Sequence, residues 1–281
     1  MAVSGGSFLW LASYPKSGNT WMRVFLATLR QGRELERLDD IGAGLTLVDL
    51  CREMDLRLGL SVGDLSDAQM LALRPGYLRI LAGLQTTRVD CKVHDAYVRT
   101  PSGDWLFPPA VTDGAIYIVR DPRDVAVSYA HHSDQPIDFV VKQMAYVRPC
   151  RELSAWPERI PPQRRGWSEH VESWLDAPGL RRLVVRYEDM LAEPLVSFTR
   201  VADFAGLRCD PESVTAAIEA TSFQRLRERE EREGFREKVK GDFFFRQGRA
   251  GGWSEALAPA QASRIVADHG RVMRRLGYRT D

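Results

Sequence analysis

Phe8-Leu9-Trp10-Leu11-Ala12-Ser13-Tyr14-Pro15-Lys16-Ser17-Gly18-Asn19-Thr20-Trp21 is the stretch on which the fold turns. Phe8 to Ser13 is a short apolar run ended by Pro15 and Gly18, which predicts a buried strand. Beyond it Met22, Phe25, Leu26 and Leu29 fall at i, i+3, i+4 and i+7, one face of a helix starting near Thr20. The junction between such a strand and helix presents unpaired backbone N–H groups and the positive end of the helix dipole, which suits a phosphate. Gly18 lets the chain approach a ligand closely, Lys16 adds positive charge, and Ser17, Asn19 and Thr20 offer short side-chain donors. An ordinary capped loop would account for Ser17 or Thr20, but not for the whole cluster.

Working outward, further apolar runs with strand character are Val89 to Val93, Ala115 to Val119 and Leu183 to Val185. Helical periods cover Asp64 to Leu84, Pro122 to His132, Pro194 to Phe204 and Pro259 to Leu276, several opening on proline or an acidic residue. Strands alternating with helices predict a parallel sheet covered on both faces. The expectation is one α/β domain over residues 1–281, with a central parallel sheet flanked by helices in a P-loop-kinase-like arrangement. The segment Arg225 to Lys240 is dense in charges of both signs; it reads as a solvated helical or mobile surface, with a mobile lid as the alternative.

The 39 basic and 38 acidic residues of the 281-residue chain leave a formal charge of +1, so no global field draws it to nucleic acid or to an anionic membrane. Cys51, Cys91, Cys150 and Cys209 are widely spaced and predict neither a zinc site nor a disulfide framework. They read as reduced thiols of a cytoplasmic protein. No apolar run reaches the roughly 18 residues of a membrane span, and the first is too short for a secretory signal.

The loop differs from G-x-x-x-x-G-K-[ST] in being shorter and in carrying its lysine before its glycine. An ATP enzyme would also want an acidic residue at the end of a second strand to hold magnesium, whereas Ala115 to Val119 runs into Arg120. Arginine there suits a second anion. Asp121 and Asp124, beside Arg120 and Arg123, are expected to form local ion pairs or to cap the helix that Pro122 opens.

Tyr14 to Trp21, Arg120-Asp121-Pro122-Arg123-Asp124-Val125-Ala126-Val127-Ser128-Tyr129 and Arg246-Gln247-Gly248-Arg249-Ala250-Gly251-Gly252-Trp253 together resemble, in order and separation, the cytosolic-type sulfotransferases that use 3′-phosphoadenylyl sulfate (PAPS), including bacterial-like small-molecule enzymes. Weaker echoes at Lys92-Val93-His94, Tyr187-Glu188-Asp189-Met190 and Thr221-Ser222-Phe223 extend the likeness over most of the chain. By that resemblance Lys16, Ser17, Gly18, Asn19 and Thr20 bind the 5′-phosphosulfate end of the donor and Trp21 stacks on its adenine. Arg120, Ser128, Arg246, Gln247 and Gly248 fall at the 3′-phosphate, and Tyr187, Thr221 and Phe223 line the adenine pocket. The chemistry of the residues agrees: a donor with phosphate at both ends of a nucleoside needs two anion sites. His94 follows the second strand, so it is expected at the sheet edge with Lys16 and Arg120, where open parallel sheets bind ligands. It matches the family's general base. Lys92, two residues earlier and so on the same face, and Lys16 are the candidates for stabilising charge at the transferring group and the leaving phosphate. No metal is expected, and the product would be 3′,5′-adenosine bisphosphate (PAP).

The sequence departs from the family at Asn19, where threonine is usual, at Gln247, where a lysine is common, and at Asp95-Ala96, where the animal enzymes have Leu-Pro. The donor side is retained and the acceptor side differs. Acceptor walls are expected from Leu35 to Leu60, Tyr97 to Pro109, His131 to Arg165 and Arg225 to Phe245, with Trp105, Phe107, Trp156, His131, His132 and Phe243 to Phe245 as candidates. The acceptor is expected to be a small hydroxylated molecule such as a phenolic metabolite, with a glycan or glycopeptide as the alternative. A homodimer is compatible with the sequence. The rival functions are a nucleotide-dependent kinase and a non-catalytic nucleotide-binding protein.

Overall fold

The computed structural model describes residues 5–41, 54–59, 61, 64–146, 163–238 and 243–281. Strand β1 (Phe8–Ser13) leads into helix α1 (Asn19–Gln31). Helix α2 (Asp67–Gly83), strand β2 (Val89–Val93), strand β3 (Thr112–Val119) and helix α3 (Pro122–Ser133) follow. After α4 (Ile137–Ala145) and α5 (Trp167–Leu175) come strand β4 (Arg182–Arg186) and helices α6 (Tyr187–Ala192), α7 (Pro194–Phe204), α8 (Pro211–Ala220) and α9 (Phe223–Glu233). The chain ends in α10 (Trp253–Ala256) and α11 (Pro259–Arg275).

The strands form a central parallel sheet in the order β2-β1-β3-β4, flanked by helices. Every residue of β1 is buried, as a central parallel strand covered on both faces requires. Its register against β2 runs from Phe8 opposite Val89 to Ala12 opposite Val93. One step further lie Ser13 and His94, a juxtaposition that matters below.

Two boundaries differ from the sequence reading by three residues. Strand β3 starts at Thr112, three residues before the apolar run, because the Thr112 hydroxyl is tied into the fold by the Trp10 indole at 3.0 Å. Helix α2 starts at Asp67, where Ser66 and Gln69 form a reciprocal capping box. The described residues contain no helix long and apolar enough to cross a membrane, and no group of three or more metal-binding side chains. Cys91 and Cys209 form no disulfide among the described residues; Cys51 and Cys150 lie outside the described residues, as does Trp156.

By compactness the chain divides into one unit of Met1–Tyr14, Gly44–Tyr117 and Val147–Arg182 and a second of Pro15–Ala43, Ile118–Tyr146 and Leu183–Asp281. The core of the first is aromatic. Phe8 stacks on Trp10, Trp10 meets Phe107 at 4.8 Å, and Phe107 meets Trp174 at 5.2 Å. Phe107 is thus a core residue, while Trp105 stacks on Tyr97 under the Arg99 guanidinium. In the second unit the apolar face of α1 packs on Phe198 of α7, with Phe25 and Phe198 4.2 Å apart. A neighbouring cluster gathers Val24, Leu35, Leu38, Ile41, Leu226, Phe235 and Phe245.

The charged segment beginning at Arg225 is only partly a solvated face. Arg229 is buried, bonding Glu233 at 3.0 Å and the Leu35 carbonyl at 2.8 Å. Glu230 is buried too, and its carboxylate accepts from the backbone N–H groups of Phe244 and Phe245. Residues 239–240 of that segment lie outside the described residues.

Candidate active site

In the second unit the loop before α1 has the form of an anion cradle. Gly18 caps the helix at φ 100°, a left-handed geometry that favours glycine, and a β-carbon there would lie 2.7 Å from the Tyr187 ring. Lys16 holds φ 68°, uncommon for a residue with a side chain. No side chain caps the first turn of α1, and the Ser17 hydroxyl is fully buried with no hydrogen-bond partner among the described residues. Buried polar atoms are normally satisfied, so an orphaned hydroxyl beside an uncapped helix start points to a ligand group. The Lys16 ammonium stands 4.1 Å from the centre of the Phe244 ring.

Arg120 lies just past β3. Its guanidinium donates to the Lys16 carbonyl at 3.3 Å and the Arg249 carbonyl at 2.9 Å, and stacks 4.3 Å over the Tyr187 ring. Its Nε is buried without a hydrogen-bond partner among the described residues. Arg246 is pushed below the usual guanidinium value by partial desolvation and by the like charges of Arg120 and Arg249. Positive charge crowded enough to depress Arg246 is stabilised by a bound anion. Gln247 accepts from Arg246 at 3.1 Å. Gly248 sits at φ 61° where a β-carbon would overlap the Phe223 ring, so these two predicted residues are brought together.

The segment 246–253 is fixed by Asp124, whose carboxylate accepts from the backbone N–H groups of Gly251 at 2.7 Å and Trp253 at 2.9 Å. Burial raises its pKa. Asp121 caps α3 and pairs with Arg123 at 2.7 Å, as expected. Ser128 lies one turn after Asp124 on the same helix, half-buried. Trp21 meets Tyr187 edge-on at 6.0 Å, whereas the Thr221 hydroxyl is buried and donates to the Ala217 carbonyl at 2.8 Å. His132 contacts Phe244 edge-on at 5.8 Å.

Sequence reasoning missed Glu237. Its carboxylate accepts from the Thr20 hydroxyl at 3.0 Å and from Arg23 at 2.7 Å, which puts a negative group at the first turn of α1. The available signal was Arg23, a charged residue next to Met22 and Val24 in the first half of α1.

In the first unit, half-buried His94 follows β2 by one residue. Its Nδ1 lies 2.8 Å from the Ser13 carbonyl and 3.3 Å from the Ser13 hydroxyl. A carbonyl only accepts, so Nδ1 carries the proton and Nε2 of the neutral ring is the basic nitrogen. That is the arrangement a general base needs. His170 is completely buried, accepts from the Tyr117 hydroxyl at 2.8 Å and donates to the His94 carbonyl at 3.2 Å. Burial lowers its pKa to about 4. Lys92, at an inner position of β2, is half-buried.

The family model described as "Sulfotransferase domain" matches residues 7–277. Sulfotransferase 1A1 of Canis lupus familiaris is 25% identical over 284 residues, covering 96% of this chain and 84% of the relative. Sulfotransferase 1 family member D1 of Rattus norvegicus is 24% identical over 94% of this chain and 82% of its own length. Among solved structures, retinol dehydratase in complex with androsterone and inactive cofactor PAP superposes with a TM-score of 0.64 at 21% identity, covering 95% of this chain and 80% of that one. Mouse sulfotransferase SULT7A1 complexed with PAP gives 0.57 at 17% identity, covering 95% and 85%.

Proposed function

Because the chain belongs to the sulfotransferase domain family, we propose that it moves the sulfuryl group of PAPS to a hydroxyl of a small-molecule acceptor by direct in-line displacement, with His94 as general base. The observation that carries this reading is the pair of anion-seeking features in the second unit: the orphaned Ser17 hydroxyl at the uncapped start of α1, and Arg120 with Arg246, beside which Arg249 is already paired with Glu255. PAPS carries phosphate at both ends of its nucleoside and supplies an activated sulfuryl group. Lys16, Ser17, Gly18, Asn19 and Thr20 hold its 5′ end; Arg120, Ser128, Arg246, Gln247 and the Gly248 backbone hold the 3′-phosphate. Trp21, Tyr187, Thr221 and Phe223 line the adenine pocket.

In the reaction, Nε2 of His94 takes the acceptor's hydroxyl proton while the new O–S bond forms and the bridging S–O bond breaks, the electron pair leaving with PAP. Lys92 and Lys16 stabilise the charge that develops on the sulfuryl and phosphate oxygens. The acceptor class follows from the family likeness, which includes structures named with androsterone and with retinol, and the enzyme is taken as cytoplasmic by its resemblance to the cytosolic type.

His94→Ala should abolish transfer from labelled PAPS while leaving PAP affinity within about twofold; unchanged turnover removes His94 from the role. A thermal-shift comparison of PAP with ATP and magnesium, repeated in a chelator, separates the donor classes. At about 100 times its dissociation constant PAP should stabilise the fold by roughly 2.7 kcal/mol regardless of chelator. Stabilisation by ATP with magnesium alone would favour the kinase reading.

A further inference from the structure

We infer that the buried Arg74–Asp95 ion pair is a positioning device for His94, fixing the main chain that carries the ring so that its imidazole keeps the Nδ1–H tautomer; this rests on His94 as the general base proposed above. Asp95 is the residue after His94, and its place in the sequence is a departure from the animal enzymes. The Arg74 guanidinium from α2 meets its carboxylate in a parallel fork, Nη1 to Oδ1 at 3.2 Å and Nη2 to Oδ2 at 3.3 Å. The two side chains are 1% and 0% exposed.

The His94 and Asp95 carbonyls, the Asp95 carboxylate and the N–H groups of the two residues that follow are all engaged. The Asp95 carboxylate also accepts from the Gln163 backbone N–H at 2.6 Å, and the Asp95 carbonyl from the Trp174 indole at 2.9 Å. His170 holds the His94 carbonyl, the Ala96 N–H donates to the Gln163 carbonyl at 2.8 Å, and the Tyr97 N–H to the Ser173 hydroxyl. Residues 94 to 97 are thereby tied to α2, to α5 and to Gln163. A residue just beyond a strand end ordinarily belongs to a loop of some freedom; here the segment is held by α5 and Gln163 through its backbone and by α2 through the Asp95 carboxylate.

The energetics favour placement over stability as the pair's product. Desolvating two charges offsets most of their attraction, and a buried pair is often no more stable than apolar residues of the same size. This one leaves the Arg74 Nε buried without a partner among the described residues. What the fork does supply is direction, because a bidentate contact fixes the carboxylate plane and, through one peptide, the angle at which His94 leaves the chain. A 1 Å error in that angle's endpoint is worth roughly 10²-fold in rate.

The test compares the unmodified enzyme with R74M/D95L, which removes both charges together and so avoids stranding one of them, and with R74K, which keeps the charge but not the fork. Nitrogen-15 spectra of histidine-labelled protein, with the His94 signals assigned from their loss in H94Q, read the tautomer directly. The expected result is a single Nδ1–H pattern in the unmodified enzyme and a mixture with the Nε2–H form in R74M/D95L. Its kcat should fall about 10- to 100-fold with the donor KM within about twofold, and R74K should shift both readings in the same direction by less. R74K also supplies the decision if the double variant does not fold. A folded variant that keeps the unmodified 15N pattern, or that keeps kcat, overturns the inference. Retention of turnover by H94Q would instead overturn the general-base assignment, and the 15N comparison would still decide whether the ion pair sets the ring.

Discussion

Ser17 and Gly18 sit side by side and predict opposite behaviour. The Ser17 hydroxyl is buried and orphaned, so it costs the free protein stability, and Ser17→Ala should leave the melting temperature of the ligand-free protein unchanged or slightly raised. A hydrogen bond to a charged phosphate is worth roughly 1.5–3 kcal/mol, so PAP affinity should weaken about 10- to 100-fold by titration calorimetry. Equal affinity would exclude the hydroxyl from the site. Gly18→Ala instead forces a side chain into left-handed backbone, at roughly 1–2 kcal/mol, and into the Tyr187 ring. Both stability and PAP binding should fall, and a thermal scan with and without PAP reads the two together. Ser17 and Gly18 were legible in the sequence because their loop is continuous. Arg74 was half legible: it interrupts the apolar face of α2, three residues after Leu71 and four before Leu78. His170 gave no signal, since a histidine on an amphipathic helix looks the same whether or not its ring reaches another residue's carbonyl.

At the scale of elements, α1 carries both a cradle for an anion and, through Thr20 and Arg23, a bound carboxylate from Glu237. Like charges at one helix terminus oppose each other, so Glu237→Gln should tighten PAP binding several-fold at low salt, with the gain shrinking as salt screens it. A salt-dependent titration that finds no gain would show the carboxylate clear of the ligand. The staple between α3 and the segment 246–253 makes a separate prediction. Asp124→Ala strands two backbone N–H groups and should loosen that segment, weakening PAP binding while leaving the His94 15N pattern intact. The helices α3, α7 and α11 were readable from apolar period and opening proline and α1 from apolar period alone, whereas α9 could be read only as a charged surface, helical or mobile. Its sequence from Phe223 to Glu233 is almost wholly charged, and it is held by Leu226 together with bonds from Arg227 to Glu231 and from Arg229 to Glu233. Composition registers the charges but not which of them turn inward.

For the molecule as a whole, two buried histidines set the acid limit of stability. Burial lowers both His170 and His269 to about 4, below the ordinary value near 6.5. Between those values the unfolded chain binds more protons than the folded one, so stability is full above about pH 6.5 and is lost as pH falls toward 4. The loss approaches about 1.4 kcal/mol per pH unit for each histidine, or roughly 2 kcal/mol apiece by pH 5. Asp124 and Glu188, whose pKa values burial raises, act in the opposite sense lower on the scale. Urea melts from pH 7.5 to 5 should show this slope, and His170→Gln should reduce it by about half; a flat profile would contradict the burial of both rings.

The parallel sheet was readable because β1 and the second half of β3 are continuous apolar runs alternating with helical periods, but its register was not, since period alone does not align one strand with another. That register puts the Ser13 carbonyl against the ring of His94. Any amino acid at position 13 brings the same carbonyl, so natural variation there can change the side chain freely without deleting the acceptor. Alanine scanning would pass over this part of the machinery. Only an altered backbone, such as an ester in place of the amide, would reveal how much the imidazole depends on it.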